Sequence, residues 1–211
     1  KNDSTRGGRK ISIPPTLLFS AVGKIDDVRK AMTLPFRQDG DAVYVLGTTA
    51  DELGASEFIR LLAAAQKKPG HTGGNIPKVD PASAVAIYQR LQAAIEQGLI
   101  ASCHTPTLGG LAAGFALCAV GGNLGADLDL SGAGGLPDDA RLFSESNSRF
   151  ILTCAAEQAS ALEAHFAGLP LFRAGTVRAG APLTIAVDGR TVVNADVEKL
   201  RKAFRSTLWG I

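Results

Sequence analysis

A cysteine and a histidine stand side by side at Cys103 and His104, within SCHTPTLGGLAAGFALCAVGG (102–122). A cysteine nucleophile and its histidine base must lie within about 3 Å of each other. LIASCH (99–104) is predicted to be a strand, and neighbouring strand residues point to opposite faces of a sheet. The pair therefore fails as nucleophile and base. We expect Cys103 in the core. His104 lies at the strand end that faces the usual ligand crevice of α/β sheets, and there we favour a structural or solvent-exposed histidine over a functional one.

The turn after His104 has a composition suited to the start of a helix. Thr105 or Thr107 can cap that helix, while Gly109 and Gly110 let its first turn lie close to another backbone or to an anion. The amides and dipole of a helix amino end attract phosphate or carboxylate. The spacing matches neither a P-loop nor a dinucleotide fingerprint, and close helix–sheet packing explains the glycines about as well. The candidate residues for a ligand cleft are therefore His104, Thr105, Thr107, Gly109 and Gly110.

Two further patterns are candidates for a metal site. Asp127 and Asp129 alternate along a predicted strand, which puts both carboxylates on one face about 7 Å apart, where Mg²⁺ could bind. We favour the alternative, a solvated strand face. His71 and His165 share no metal-ligand spacing with any cysteine, so the sequence predicts no zinc site.

The segment LFSESNSRF (142–150) contains two opposite charges four residues apart. Glu145 and Arg149 are predicted to form an ion pair that fixes the loop before a core strand. If exposed, such a pair contributes about 0–1 kcal/mol. GHTGGN (70–75) is the best candidate for a mobile loop, and its composition indicates no specific function.

Composition narrows the range of functions. The 211 residues are 45% hydrophobic and 20% charged, with a net charge of +2, which is ordinary for a soluble globular protein. The chain has no basic stripe and few aromatic residues, so nucleic acid is not an expected partner. The longest apolar run, 111–120, is too short to cross a bilayer. Three widely spaced cysteines and the absence of a secretory leader predict a reduced, cytoplasmic protein. The polar start without methionine indicates a piece of a longer chain.

Periodicity predicts strands that alternate with helices. Capping signals at Thr49 with Glu52, at Asp80 before Pro81, and at Asp196 mark three helix starts. Helices are predicted at 50–66, from 81 to the closing glycine at 98, after the turn at 105–110, at 156–167 and after 196, with loops at 67–79 and 131–140. Strands are predicted at 11–25, 41–47, 99–104, 123–131, 149–154, 172–177 and 183–189. This mixture predicts an α/β layered domain with a mixed sheet.

Four segments, in order along the chain, resemble one known family. They are 9–31, 40–58, 103–122 and 142–150. Together they resemble the carboxyl-terminal part of phosphoribosylformylglycinamidine synthase of the large-subunit type. The wider superfamily of aminoimidazole ribonucleotide synthetase, selenophosphate synthetase, a hydrogenase maturation protein and thiamine-monophosphate kinase shares the patterns D-x-x-x-x-L-G and His-x-x-x-x-G-G-L. Here these patterns run from Asp41 to Gly47 and from His104 to Leu111.

The resemblance implies a fold and a reaction. Residues 27–211 would form a three-layer α/β/α domain like the carboxyl-terminal domain of aminoimidazole ribonucleotide synthetase. Residues 1–26 would be the last strands of a preceding ATP-cleft domain. The whole enzyme would use ATP and Mg²⁺ to activate the formamide oxygen of formylglycinamide ribonucleotide. Ammonia from a glutaminase subunit or domain would then displace phosphate.

The resemblance also implies what this chain does not carry. The family's catalytic histidine and magnesium carboxylates lie in upstream domains, so it implies no catalytic residue and no metal ligand here. The chain would be a scaffold and cleft wall, inactive by itself. Its partners would be upstream domains of the same chain, the glutaminase, and a pseudo-symmetric or homodimeric domain. Thr105 stands where relatives often carry aspartate, which removes a carboxylate from the crevice.

Two other functions stay open. The chain could be a non-catalytic module that pairs with a like domain, as exposed sheets can. It could also belong to another superfamily member, of the selenophosphate synthetase, thiamine-monophosphate kinase or hydrogenase maturation type.

Overall fold

The computed structural model describes residues 3–12, 18–68 and 70–209. The chain separates into two compact units, Lys1–Ala31 and Met32–Ile211. In the smaller unit, strands β1 (Asp3–Arg6) and β2 (Arg9–Ser12) form an antiparallel hairpin around Gly7 and Gly8, which both have positive φ.

The predicted strand at 11–25 is wrong over most of its described part. Strand β2 ends at Ser12, where its register with β1 ends, and residues 18–25 have no regular structure. A strand needs a neighbouring strand for its backbone hydrogen bonds. Among the described residues of this unit, residues 18–25 have no strand to pair with. Residues 13–17 of the prediction lie outside the described part of the chain.

The larger unit is built on one mixed seven-stranded sheet with the order β4-β6-β3-β7-β5-β8-β9. Neighbouring strands are antiparallel except for the parallel pair β5 and β8. The strands are β3 (Ala42–Leu46), β4 (Ser102–His104), β5 (Gly125–Asp129), β6 (Phe150–Cys154), β7 (Leu171–Arg178), β8 (Leu183–Val187) and β9 (Arg190–Ala195). The helices are α1 (Glu57–Ala65), α2 (Pro81–Glu96), α3 (Gly110–Gly122), α4 (Asp138–Phe143), α5 (Ala159–His165) and α6 (Val197–Trp209).

Strand β3 divides the core into two layers of side chains. Val43 and Val45 join the cluster that contains the apolar side of α3, while Tyr44 and Leu46 join the cluster formed with α2 and α5. All four side chains are fully buried. Because alternate strand residues point to opposite faces, helices must cover both faces of this strand. The predicted three-layer α/β/α architecture is confirmed.

Two of the predicted helix starts are confirmed. The Asp80 carboxylate accepts from the Ala82 N–H at 3.1 Å, with Pro81 at the first helical position of α2. The Asp196 carboxylate accepts from the Lys199 N–H at 2.9 Å at the start of α6.

The capping box predicted at Thr49 and Glu52 is wrong. Helix α1 begins at Glu57, and Ser56 caps it by accepting from the Ile59 N–H. Glu52 instead accepts from the Lys78 N–H at 2.9 Å, so tertiary contacts hold both predicted capping residues outside the helix. Strand β9 and helix α4 were not predicted, because both segments are short and carry little apolar periodicity.

The GHTGGN segment (70–75) lies along the chain that precedes α1. Gly54 donates its N–H to the Asn75 carbonyl at 2.7 Å, and Ala55 donates to Thr72 at 2.8 Å. A Cβ on Gly54 would lie 2.5 Å from the carbonyl oxygen of Gly74. The two segments are therefore closely packed. Within the described part of the chain, no helix has both the length and the apolar character needed to cross a membrane.

Candidate functional site

Three loops meet at one edge of the sheet. Strand β3 leads into 47–56, β4 leads into 105–109, and the 144–149 loop leads into β6. Because β6 runs antiparallel to both neighbours, its start lies beside their ends, as the pairs Leu46–Phe150 and His104–Ile151 show. The carboxyl ends of β3 and β4 thus meet the amino end of β6, and the three loops can form the walls of one cleft.

The 144–149 loop borders two adjoining hollows. The larger, of about 760 Å³, lies between this loop, the first turn of α2 and residues 168–170. The smaller, of about 230 Å³, lies on the side of Thr105 and Thr107. Residues 146–148 line both hollows, so this loop is the shared wall. We call the larger hollow the groove.

Arg149 holds the loop from inside. Its side chain is fully buried, with Nε donating to the Ser146 carbonyl at 3.1 Å and Nη1 to the Thr49 hydroxyl at 3.0 Å. A further bond from Nη2 reaches the Ser144 carbonyl. Burial lowers the pKa of Arg149 to about 10, while the charges of Glu52 and Glu145 act in the opposite direction. The guanidinium therefore stays charged at neutral pH.

The predicted ion pair between Glu145 and Arg149 is wrong. In the described part of the chain, Arg149 bonds only to carbonyl and hydroxyl oxygens of Ser144, Ser146 and Thr49. Glu145 points elsewhere: its Oε1 accepts from the N–H of Gly109 at 2.8 Å and from the N–H of Glu57 at 3.0 Å.

One carboxylate thus serves the amino ends of two helices. Gly109 precedes α3 with a left-handed φ of 79°, and α3 has no side-chain cap from its own segment. The predicted capping by Thr105 or Thr107 is therefore wrong, because Glu145 comes from a distant part of the sequence to do this. A negative group at a helix amino end is favourable. The sequence predicted a possible anion site at the start of α3. In the structure, the Gly109 N–H at this position already bonds to the carboxylate of Glu145.

Glycines let the surrounding backbone approach the loop. Gly47 has a φ of 99°, and a Cβ there would lie 2.4 Å from the Ser148 carbonyl oxygen. A Cβ on Gly110 would lie 2.6 Å from the Ser144 carbonyl oxygen. Real side chains do not tolerate such distances, so both positions require glycine. Close backbone packing thus accounts for Gly110.

The serines of the loop add three more connections. Ser144 Oγ accepts from the Glu52 N–H at 3.2 Å, and Ser146 Oγ accepts from the Ala50 N–H at 3.1 Å. Ser148 Oγ lies 2.8 Å from the Tyr88 hydroxyl, and Ser148 itself has a positive φ of 56°. For a residue other than glycine, this conformation is unusual and often marks a functional position.

The structure places Cys103 and His104 on opposite faces of β4, as predicted. Cys103 packs on the core side formed with α2 and α5, and burial raises its pKa to about 11. His104 points toward α3, where a Cβ on Gly114 would lie 3.4 Å from its Cδ2. Burial lowers the pKa of His104, and its buried Nε2 has no hydrogen-bond partner among the described residues. A nucleophile and base pair is thus absent at these two residues.

The predicted preference for a solvated strand face agrees with the exposure of Asp127 and Asp129. Asp127 accepts from Arg178 Nε at 3.2 Å and from the Thr184 hydroxyl at 2.8 Å, while Asp129 accepts from the Ser131 N–H at 2.8 Å. Over residues 3–12, 18–68 and 70–209, no three His, Cys, Asp or Glu side chains are placed to hold a metal ion.

The sequence did not single out Arg149 as the centre of the loop or Asn147 as part of its exposed surface. Asn147 is exposed and donates to the Lys78 carbonyl at a long 3.4 Å. An arginine directly before an apolar strand, preceded by alternating serines, is the signal that could have identified the loop.

Comparison with known proteins gives a consistent result. Residues 38–188 match the family described as AIR synthase related protein, C-terminal domain. The chain is 32% identical over 201 residues to the phosphoribosylformylglycinamidine synthase subunit PurL of Alkaliphilus metalliredigens, which covers 94% of this chain and 26% of the relative. It is 35% identical over 198 residues to the subunit of that name from Beijerinckia indica, covering 93% and 25%. The chain thus spans about a quarter of the length of these curated relatives.

Solved structures share the fold. T. maritima PurL complexed with FGAR superposes with a TM-score of 0.68 at 18% identity, covering 82% of this chain and 30% of that one. E. coli HypE, a hydrogenase maturation protein, superposes with a TM-score of 0.54 at 13% identity, covering 79% and 52%. Both likenesses cover about four fifths of this chain. The resemblance that the sequence predicted is confirmed.

Proposed function

The chain belongs to the AIR synthase related family, matching its carboxyl-terminal domain, and from this membership we propose that it works as part of a phosphoribosylformylglycinamidine synthase. The complete enzyme converts formylglycinamide ribonucleotide, ATP and glutamine-derived ammonia to formylglycinamidine ribonucleotide. The observation that carries the proposal is the 32–35% identity to subunits of that name over 93–94% of this chain. The fold shared with T. maritima PurL supports it.

In this proposal the chain supplies architecture and one wall of a ligand cleft. His104, Thr105, Thr107, Gly109 and Gly110 stay the proposed cleft residues. The hollow beside Thr105 and Thr107 supports this placement for the two threonines. The amide of Gly109 already bonds to a carboxylate, so it positions the turn instead of binding a phosphate.

The groups that act on the reacting atoms come from outside this chain in our proposal. ATP supplies the phosphoryl group that activates the formamide oxygen, and upstream domains hold Mg²⁺. We propose that upstream domains of the same chain, a glutaminase and a pseudo-symmetric or homodimeric domain are its partners, in the cytoplasm. T. maritima PurLQS, which has a solved structure, is a precedent for an assembly.

By the longer protein we mean this chain together with the upstream domains that the proposal assigns to it. Assays of the longer protein and of the 211-residue chain alone test the proposal. The longer protein should release phosphate from ATP only when formylglycinamide ribonucleotide and an ammonium salt are both present. The 211-residue chain should give no turnover. Amidine formation by the 211-residue chain alone would contradict the scaffold role. Activity of the longer protein on selenide or thiamine monophosphate would instead indicate another superfamily member.

Ligand binding separates the cleft-wall role from the interaction module. In the longer protein, Thr105→Ala and His104→Ala should weaken binding of nucleotide or formylglycinamide ribonucleotide, measured by calorimetry. Thr191→Ala, on exposed β9, is the matched control and should leave binding unchanged. If all three variants bind like the parent, the chain is an interaction module and not a cleft wall.

A further inference from the structure

Arg149 is the largest fully buried side chain among the described residues, and its environment is unusual. No carboxylate lies within salt-bridge distance of its guanidinium in that part of the chain. Its partners are the carbonyls of Ser144 and Ser146 and the hydroxyl of Thr49. Burying a cation without a paired anion is costly, and an apolar side chain of similar size often gives equal or greater stability. Packing alone therefore does not explain an arginine here.

The geometry of its three bonds indicates what the arginine does. Two of them fold the 144–149 loop around the guanidinium, and the third joins that loop to Thr49, on the segment that leaves β3. Both segments border the groove. The planar guanidinium fixes the direction of each bond, whereas a lysine ammonium would provide a single, freely rotating centre.

We propose that Arg149 is a positioning residue that fixes the 144–149 loop against the segment after β3, so that Asn147 and Ser148 keep a defined place in the groove. The proposal rests on the proposed function, because it assumes that a ligand of the synthase binds against this loop, whose residues 146–148 line both the groove and the hollow beside Thr105 and Thr107. Arg149 itself is fully buried, out of direct reach of a ligand in the groove. It acts through the loop.

Amide hydrogen exchange tests the positioning directly. The N–H of Ala50 bonds to Ser146 Oγ, and the N–H of Gly109 bonds to Glu145, so both amides report where the loop lies. In Arg149→Lys, both should exchange about tenfold faster or more, as expected when a hydrogen bond to a charged donor is lost. Arg141→Lys is the matched control, since Arg141 is also buried but bonds to Asp188, and there these amides should exchange as in the parent.

Thr49→Val provides a second, milder variant in case Arg149→Lys does not fold. It removes one acceptor of the guanidinium and keeps the shape of the side chain. The same two amides should exchange faster, by a smaller factor than in Arg149→Lys. If neither variant differs from the Arg141→Lys control, Arg149 does not position the loop and the proposal is overturned.

Steady-state kinetics of the longer protein test the functional part. Arg149→Lys should raise the KM for formylglycinamide ribonucleotide or ATP about tenfold with a smaller change in kcat, because a displaced wall weakens binding. Arg141→Lys should leave both KM values unchanged. Normal KM values in Arg149→Lys together with fast exchange would overturn the proposal. A parent protein without turnover would overturn the proposed function instead, and the exchange result would then decide whether Arg149 holds the loop.

Discussion

Replacing Glu145 should weaken two helices at once. Its carboxylate accepts from the N–H of Gly109 at 2.8 Å and from the N–H of Glu57 at 3.0 Å, at the starts of α3 and α1. Glu145→Ala removes both acceptors. Glu145→Gln keeps a carbonyl oxygen of the same reach and removes only the charge.

The expected loss of stability follows from these two bonds. Hydrogen bonds to charged groups contribute about 1.5–3 kcal/mol each, and replacing a helix cap with alanine costs about 0.5–2 kcal/mol. Because Glu145 is only half-buried, we take values from the lower part of these ranges. We expect Glu145→Ala to lower the free energy of unfolding by roughly 2–3 kcal/mol and Glu145→Gln by about 1 kcal/mol.

Urea unfolding followed by circular dichroism measures these differences, with Glu198→Gln as the control. Glu198 pairs with Arg201 on an exposed face of α6, so its loss should change stability by at most about 1 kcal/mol. Formate should restore part of the stability of Glu145→Ala, beyond its effect on the parent, by binding the vacated amides. Equal stabilities of Glu145→Ala and Glu198→Gln, or no difference in the effect of formate, would refute the assignment.

Three further predictions follow from individual residues. Gly47→Ala should lower the free energy of unfolding by about 3 kcal/mol or more, because it adds a clash with the Ser148 carbonyl to a strained φ. Gly40 also has a positive φ but no nearby atoms, so Gly40→Ala should lose less stability in the same urea titration. Equal losses of stability in the two variants would contradict the clash. Burial lowers the pKa of His104, so this histidine takes up a proton in the unfolded chain before it does so in the folded chain as pH falls below 6.5. The parent should therefore lose more stability between pH 7 and pH 5 than His104→Gln. Parallel profiles of stability against pH for the two proteins would refute this. Burial raises the pKa of the three cysteines to about 11 or 12, which leaves a thiolate fraction of about one in a thousand or less at pH 8. Native chain should thus react with a thiol reagent far more slowly than unfolded chain, and equal rates would contradict the burial.

Local signals predicted the parts of the fold that local residues determine. Asp80 with Pro81 marked the start of α2 correctly, because the capping carboxylate and the capped amide are two residues apart. The apolar run 41–47 identified β3, which is buried on both faces. Thr49 and Glu52 failed because the same residue types that cap helices also serve tertiary contacts. A single sequence does not distinguish those two uses.

The centre of the site depends on contacts that sequence spacing hides. Glu145 and Arg149 stand four residues apart, which fits an ion pair, yet each finds its partners elsewhere. Arg149 reaches Thr49, one hundred positions away, and Glu145 reaches Glu57, eighty-eight positions away. Which partner a charged side chain takes is decided when the sheet brings the ends of β3 and β4 beside the start of β6.

The cost of holding the 144–149 loop indicates that its shape matters for more than stability. Three unusual features converge on these six residues. They are a buried guanidinium that bonds to no carboxylate among the described residues, a left-handed Ser148, and glycines in close backbone contact. At each position, an apolar side chain or an unstrained backbone would cost less free energy. Strained features of this kind cluster at functional sites, where the surrounding structure holds them in place. The loop's outer residues, Asn147 and Ser148, line the groove. The interior contacts therefore stabilise the loop and, in the same arrangement, fix the place of these outer residues.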